Sequence, residues 1–173
     1  MLVSLTPHPD TPSTAVQRIE VDVERREEFV WLRYTVFGDV ARVFWPGAVE
    51  PGRADELWRR TCFEAFAPTD DGYREFNLSP SGAWASYRFD GYRTGMAAAD
   101  ERAEVLGLET AEAWVALEGL VEIPADAARV GLSVVIEDID GVISYWALAH
   151  PAGKPDFHHP ESFALVLPVP ELP

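Results

Sequence analysis

Tyr73-Arg74-Glu75-Phe76-Asn77-Leu78-Ser79-Pro80-Ser81-Gly82-Ala83-Trp84-Ala85-Ser86-Tyr87-Arg88-Phe89 is the stretch that decides the fold. Two alternating runs flank a Ser-Pro-Ser-Gly turn, which reads as a β-hairpin. Successive side chains on a strand point to opposite faces, so Glu75, Asn77 and Ser79 line one side while Arg74, Phe76 and Leu78 line the other. Trp84 and Arg88 share a parity on the second strand. A register placing both rows on one face would combine acceptor, donor, cation and aromatic surface, which suits a neutral polyhydroxylated ligand better than an anion. The same row also reads as a salt-bridged, solvated sheet face or as a docking surface for another protein.

Working outward, alternating or β-branched runs recur over residues 17–23, 28–37, 42–45, 57–66, 111–123, 130–137, 142–149 and 162–167, each bounded by Gly, Pro or Asp turns. About ten short strands at such spacing predict an all-β fold, an antiparallel β-sandwich rather than a parallel sheet. Residues 96–106 form the best helical candidate, rich in Ala and Glu between Gly95 and Gly107, and read as a connection. No repeat or low-complexity tract interrupts the pattern. The chain of 173 residues therefore reads as a single domain, residues 1–173, with Pro-rich arms at 7–12 and 168–173.

Fourteen basic against 29 acidic residues give a formal charge of −15, which repels phosphate backbones and anionic lipid surfaces. Neither nucleic acid nor a membrane is expected as a partner. The single cysteine, Cys62, excludes an intramolecular disulfide and reads as a small buried hydrophobe. No apolar run reaches membrane-spanning length, and Pro7 and Pro9 break the N-terminal one before a signal core forms, so the expected location is cytoplasmic.

The run 57–66 puts Trp58, Arg60, Cys62, Glu64 and Phe66 on one parity. Buried charges there need partners, so an Arg60–Glu64 or Arg60–Glu75 bridge is expected, with ligand contact as the alternative. Trp84, Tyr87, Tyr92 and Arg93 give the hairpin's second half the mixture of rings and donors that sugars require, although core packing explains the rings equally. Residues 150–160 hold three of the four histidines together with Asp156. Adjacent His158 and His159 point apart on an extended backbone, so no metal is expected, and Asp156 is expected to bond a neighbouring imidazole or backbone amide. No nucleophile elbow, phosphate loop or zinc-protease helix occurs, and nothing fixes the separation of Glu64 and Glu75 that glycoside cleavage would need. A non-catalytic protein is the expectation.

The segments Asp55-Glu56-Leu57-Trp58, Thr61-Cys62-Phe63-Glu64-Ala65-Phe66, Glu75-Phe76-Asn77-Leu78-Ser79-Pro80-Ser81-Gly82 with Trp84, and Tyr92-Arg93-Thr94-Gly95-Met96 resemble bacterial DOMON-like domains, close to the family-9 carbohydrate-binding-module branch. A second block, from Tyr145-Trp146-Ala147-Leu148-Ala149-His150-Pro151 through Pro155-Asp156-Phe157-His158-His159 to Phe163, fits the same group. The resemblance implies an antiparallel sandwich whose relatives bind sugars or haem. It suggests a carbohydrate or other small polar ligand, with Arg60, Glu64, Glu75, Asn77, Ser79, Trp84, Arg88, Arg93, Asp156, His158 and His159 as candidate contacts. A b-type haem domain is the alternative: haem-binding relatives use methionine and histidine ligands, and Met96 is the one internal methionine, without an identified histidine partner. A protein-interaction domain with no small ligand is the third reading.

Overall fold

A computed structural model describes residues 1–168, so the C-terminal arm beyond Pro168 lies outside the described residues. The strands are β1 (Leu2–Pro7), β2 (Val16–Arg26), β3 (Phe29–Gly38), β4 (Gly52–Arg53), β5 (Cys62–Thr69), β6 (Gly72–Leu78) and β7 (Ala83–Phe89). After them come β8 (Ala97–Ala98), β9 (Ala103–Thr110), β10 (Trp114–Glu122), β11 (Arg129–Glu137), β12 (Ile143–Ala147) and β13 (Leu165–Val166). The rest is loop and three short 3-10 turns, so the all-β expectation holds among the described residues. No helix among them is long and apolar enough to cross a membrane.

Where a sandwich would stack two sheets, the strands here join into one hydrogen-bonded path, β4-β7-β6-β5-β11-β12-β1-β2-β3-β10-β9. β1 links its halves, because Leu2 to Leu5 pair with β2 while Thr6 and Pro7 pair with β12. The far end lies against β6 and β7, so the sheet nearly closes on itself. The inner faces of the halves meet in one core, where Leu32, Tyr34 and Leu117 pack with Phe63, Phe76 and Leu132. Alternation explains why these residues are inside: β2 and β3 bury every second side chain and turn charged ones outward.

β5 and β11 depart from alternation and bury nearly every residue. Their outer face is covered too, by the chain after β12, whose Phe157 and Phe163 pack with Phe66, Tyr73, Phe89 and Val135 in a second apolar cluster. Gly131 lets that chain approach. A Cβ there would stand 2.9 Å from the Phe163 ring and 3.1 Å from the Ser162 carbonyl.

Several local expectations are corrected. Residues 96–106 hold no helix: β9 pairs with β10, and cross-strand pairing outweighs a helix preference worth only a few tenths of a kcal/mol per residue, about 0.7 at most. Residues 42–45 follow a 3-10 turn, Val40–Arg42, and make an isolated bridge through Val43 instead of a strand. Leu57–Arg59 is another 3-10 turn, so β5 starts only at Cys62. At the N-terminus, residues 2–7 belong to the sheet, and His8 is buried with its Nε2 3.0 Å from the Gly153 carbonyl.

Candidate functional site

Glu64 of β5 lies opposite Asn77 of β6, and Phe66 opposite Glu75. Directly paired residues share a face, so Cys62, Glu64, Phe66, Tyr73, Glu75 and Asn77 form one patch on the outer side. β11 extends it with Ser133 and Val135, and β12 with Tyr145. Above this patch the covering loop, residues 148–163, and the 3-10 turn Leu57–Arg59 leave a cleft of about 600 Å³. Trp58, Phe89, Tyr145 and Phe157 line it as aromatic walls, while Glu64 and Glu75 line it with carboxyls.

Both acids are buried, Glu64 at 3% and Glu75 at 4% exposure. Glu75 Oε1 accepts from Asn77 Nδ2 at 2.9 Å. Ser133 Oγ donates to Glu64 Oε2 at a long 3.4 Å. Across the core, Tyr34 donates its hydroxyl to the Glu64 carbonyl at 2.8 Å, which ties the patch to the inner core. Burial pushes the Glu75 carboxyl up to about 7. Burial first, and the Glu75 charge second, push Glu64 well above the usual carboxylate range.

His158 reaches into the cleft from the covering loop. Its Nδ1 lies 2.8 Å from the Tyr73 hydroxyl, which accepts from the Arg93 amide at 3.2 Å. The other ring nitrogen, Nε2, stands 3.7 Å from Glu75 Oε2. Burial, then the Arg93 charge, hold His158 down to about 4, so the imidazole is neutral at physiological pH. Beside it, the Cys62 thiol donates to Asn77 Oδ1 at 3.6 Å. Burial pushes that thiol well up, which removes it as a nucleophile.

Of the residues the sequence singles out, Glu64, Glu75, Arg93 and His158 line the cleft, with Asn77 beneath them holding Glu75. Trp84 and Arg88 do not join them. The register Leu78↔Trp84 and Arg74↔Arg88 sets both on the opposite face from Glu75 and Asn77. Trp84 packs against the main core under the Arg53 guanidinium, and Arg88 reaches outward to Asp90 at 3.9 Å. Ser79 shapes the hairpin turn, accepting from the Ser81 amide at 3.2 Å and the Ser81 hydroxyl at 2.8 Å.

Arg60 forms neither expected bridge. The 3-10 turn before it breaks the strand alternation, and its guanidinium pairs instead with Glu137 at 2.6 Å. Asp156 organises the rim by accepting from Arg93 Nη2 at 2.8 Å, from the Tyr92 hydroxyl, and from the His158 amide at 3.2 Å. The neighbouring histidines do point apart: His159 turns away and caps the turn Pro160–Ser162, its Nδ1 accepting from the Glu161 amide at 3.2 Å. His150 bonds the Thr6 carbonyl at 2.8 Å.

Sequence reasoning overlooked Tyr73, which orients His158, although it shares parity with Glu75 and Asn77. It also overlooked Phe89, Tyr145 and Phe157 as walls; only the Tyr73↔Phe89 pairing could have added one of them. Met96 opens onto the same cleft as His158, a convergence of segments about 60 residues apart that no local pattern reveals.

No protein-family model matches the chain, and no curated protein matches its sequence. The fold is similar to that of a solved "putative carbohydrate-binding protein" from Bacteroides uniformis, with a TM-score of 0.59 over 94% of this chain and 84% of that one, at 16% identity. That likeness is one of fold. Fold and cleft together give an all-β protein with an open, aromatic-walled pocket over a polar floor.

Proposed function

We propose that the chain is a non-catalytic binding module for a carbohydrate or another small hydroxylated ligand, held over the outer face of β5 and β6. The observation that carries this reading is the floor of the cleft. Glu64 and Glu75 are side by side, buried, and open to a pocket walled by Trp58, Phe89, Tyr145 and Phe157. Sugar C–H faces stack on such rings, while carboxyls accept and, when protonated, donate hydrogen bonds to hydroxyls. The Bacteroides protein's carbohydrate-binding description supports the ligand class. The motifs around Glu64, Glu75, Asn77 and Arg93 support a likeness to DOMON-like domains near the family-9 carbohydrate-binding modules.

For haem, the observation in favour is that Met96 and His158 line the same cleft. Against it, His158 Nε2 stands 3.7 Å from Glu75 Oε2, so an iron on that nitrogen would crowd the buried carboxyl. We therefore assign no cofactor, and a Soret band developing on haem addition would reverse that assignment.

The test is calorimetric titration with a panel of mono- and oligosaccharides. Asn77→Ala removes the donor that orients Glu75 and one of the two acceptors of the Cys62 thiol. It is expected to weaken affinity by about five-fold to a hundred-fold, the equivalent of about 1–3 kcal/mol. A folded parent protein that binds no saccharide at millimolar concentration refutes the reading.

A further inference from the structure

We infer that the ligand of this cleft carries a protonated amino group beside its hydroxyls, as an amino sugar does. The inference rests on the cleft being the binding site, and it comes from a charge imbalance there. Glu64 and Glu75 stand on adjacent strands, on one face, and both open onto the pocket. Among the described residues Glu64 has one side-chain partner, Ser133 on Oε2 at 3.4 Å, which leaves Oε1 without a donor. Glu75 Oε2 has no donor within hydrogen-bonding distance, since His158 Nε2 stands 3.7 Å away.

The nearby cations are committed elsewhere. Arg93 pairs with Asp156, Arg60 with Glu137, and Arg74, on the opposite face, with Asp71 and Glu101. Lys154 lines the mouth of the cleft from the covering loop, is exposed, and forms no ion pair with either acid. Two buried carboxyls with unused acceptor oxygens, in a cavity walled by four rings, thus have no cation in direct contact, although Arg93 and Lys154 line the same cleft. An ammonium supplies that contact with three donors, and the ring faces favour a cation as well as sugar C–H groups. The chain's net charge of −15 draws such a ligand inward.

Proton balance provides a distinctive readout. Without a cation the acids satisfy themselves by holding protons; an ammonium bound as a carboxylate salt releases the proton it replaces to solvent. The titratable groups around the pair are Cys62 on β5, Tyr73 on β6, Tyr87 on β7, Tyr145 on β12, Arg93 after β7, and Lys154 and His158 on the loop. With His158 neutral and burial holding the protons on Cys62, Tyr73 and Tyr87, Glu64 and Glu75 are the proton donors in the exchange.

The experiment compares D-glucosamine, N-acetyl-D-glucosamine and D-glucose by calorimetry at neutral pH, in buffers of differing ionisation enthalpy. Glucosamine is expected to bind at least about ten-fold more tightly than either neutral sugar, with a buffer-dependent heat that the neutral sugars lack. Glu75→Gln, which keeps an acceptor for Asn77, should erase the preference, and Glu64→Gln provides the same test should that variant misfold. Equal binding of all three sugars overturns the inference while leaving the carbohydrate reading intact. A preference that persists in both variants also overturns it. Absence of binding by any of the three, or by other saccharides, removes the carbohydrate reading and this inference with it.

Discussion

Replacing Glu75 with glutamine should stabilise the protein, and the gain should depend on pH in a defined direction. The native carboxyl is raised from an ordinary 4.5 to about 7. The folded state therefore binds that proton more tightly than the unfolded state. Below pH 4.5 both states are protonated and the residue costs nothing. As pH rises through about 7 the buried group must ionise, and the stability is lost. The interval of about 2.5 pH units, at about 1.4 kcal/mol each, gives a cost of about 3 kcal/mol on the alkaline side. Glutamine keeps the Asn77 hydrogen bond, removes the titration and relieves Glu64 of a neighbouring charge. Urea denaturation should find parent and variant nearly equal near pH 4.5, with the variant ahead by up to about 3 kcal/mol near pH 8. A difference that is the same at both ends, or a variant weaker at high pH, refutes the reasoning about a desolvated acid.

Other outcomes follow from the same geometry. His158 is depressed from 6.5 to about 4, so it costs the native state stability as pH falls through that window, and His158→Gln should flatten the acid limb of the stability profile measured by urea melts. Phe76→Ala should cost about 3–5 kcal/mol in the same assay, because that ring is fully enclosed by the inner core. Trp84→Ala should lower stability by at least about 1 kcal/mol yet leave saccharide affinity unchanged, since its side chain belongs to the core face. Gly131→Ala forces a methyl against the Phe163 ring; a loss of about 1–3 kcal/mol and weaker ligand binding are expected together, by denaturation and calorimetry, as the covering loop lifts.

The sequence made the strands legible wherever alternation or β-branching was strong, as in β2, β3, β6 and β11. It also made visible that Glu75 and Asn77 share a face, because strand parity is a local property. What it could not carry was register. Five residues lie between the paired Leu78 and Trp84, and that count decides that Trp84 joins Leu78 instead of Asn77. A turn one residue longer or shorter would have reversed the assignment. Composition misled at 96–106, where Ala and Glu favour a helix in isolation but β10 offers a full ladder of hydrogen bonds. The Arg60–Glu137 pair and the approach of His158 to Glu75 span 77 and 83 residues, and contacts of that range arise only when the sheet brings distant strands together. Burial of β5 on both faces was likewise invisible, since nothing local announces that residues 148–163 fold back over it.

The proposed ligand site lies over the outer face of β5 and β6. The most direct measurement is a nitrogen–proton correlation spectrum of labelled protein titrated with the saccharides of the panel, glucosamine included. Shifts are expected to concentrate at the amides of Glu64, Glu75, Asn77, Arg93 and His158 and at the Trp58 indole, with the Trp84 indole unmoved. Shifts centred on Trp84 and Arg88, or a spectrum unchanged at saturating sugar, would contradict that site.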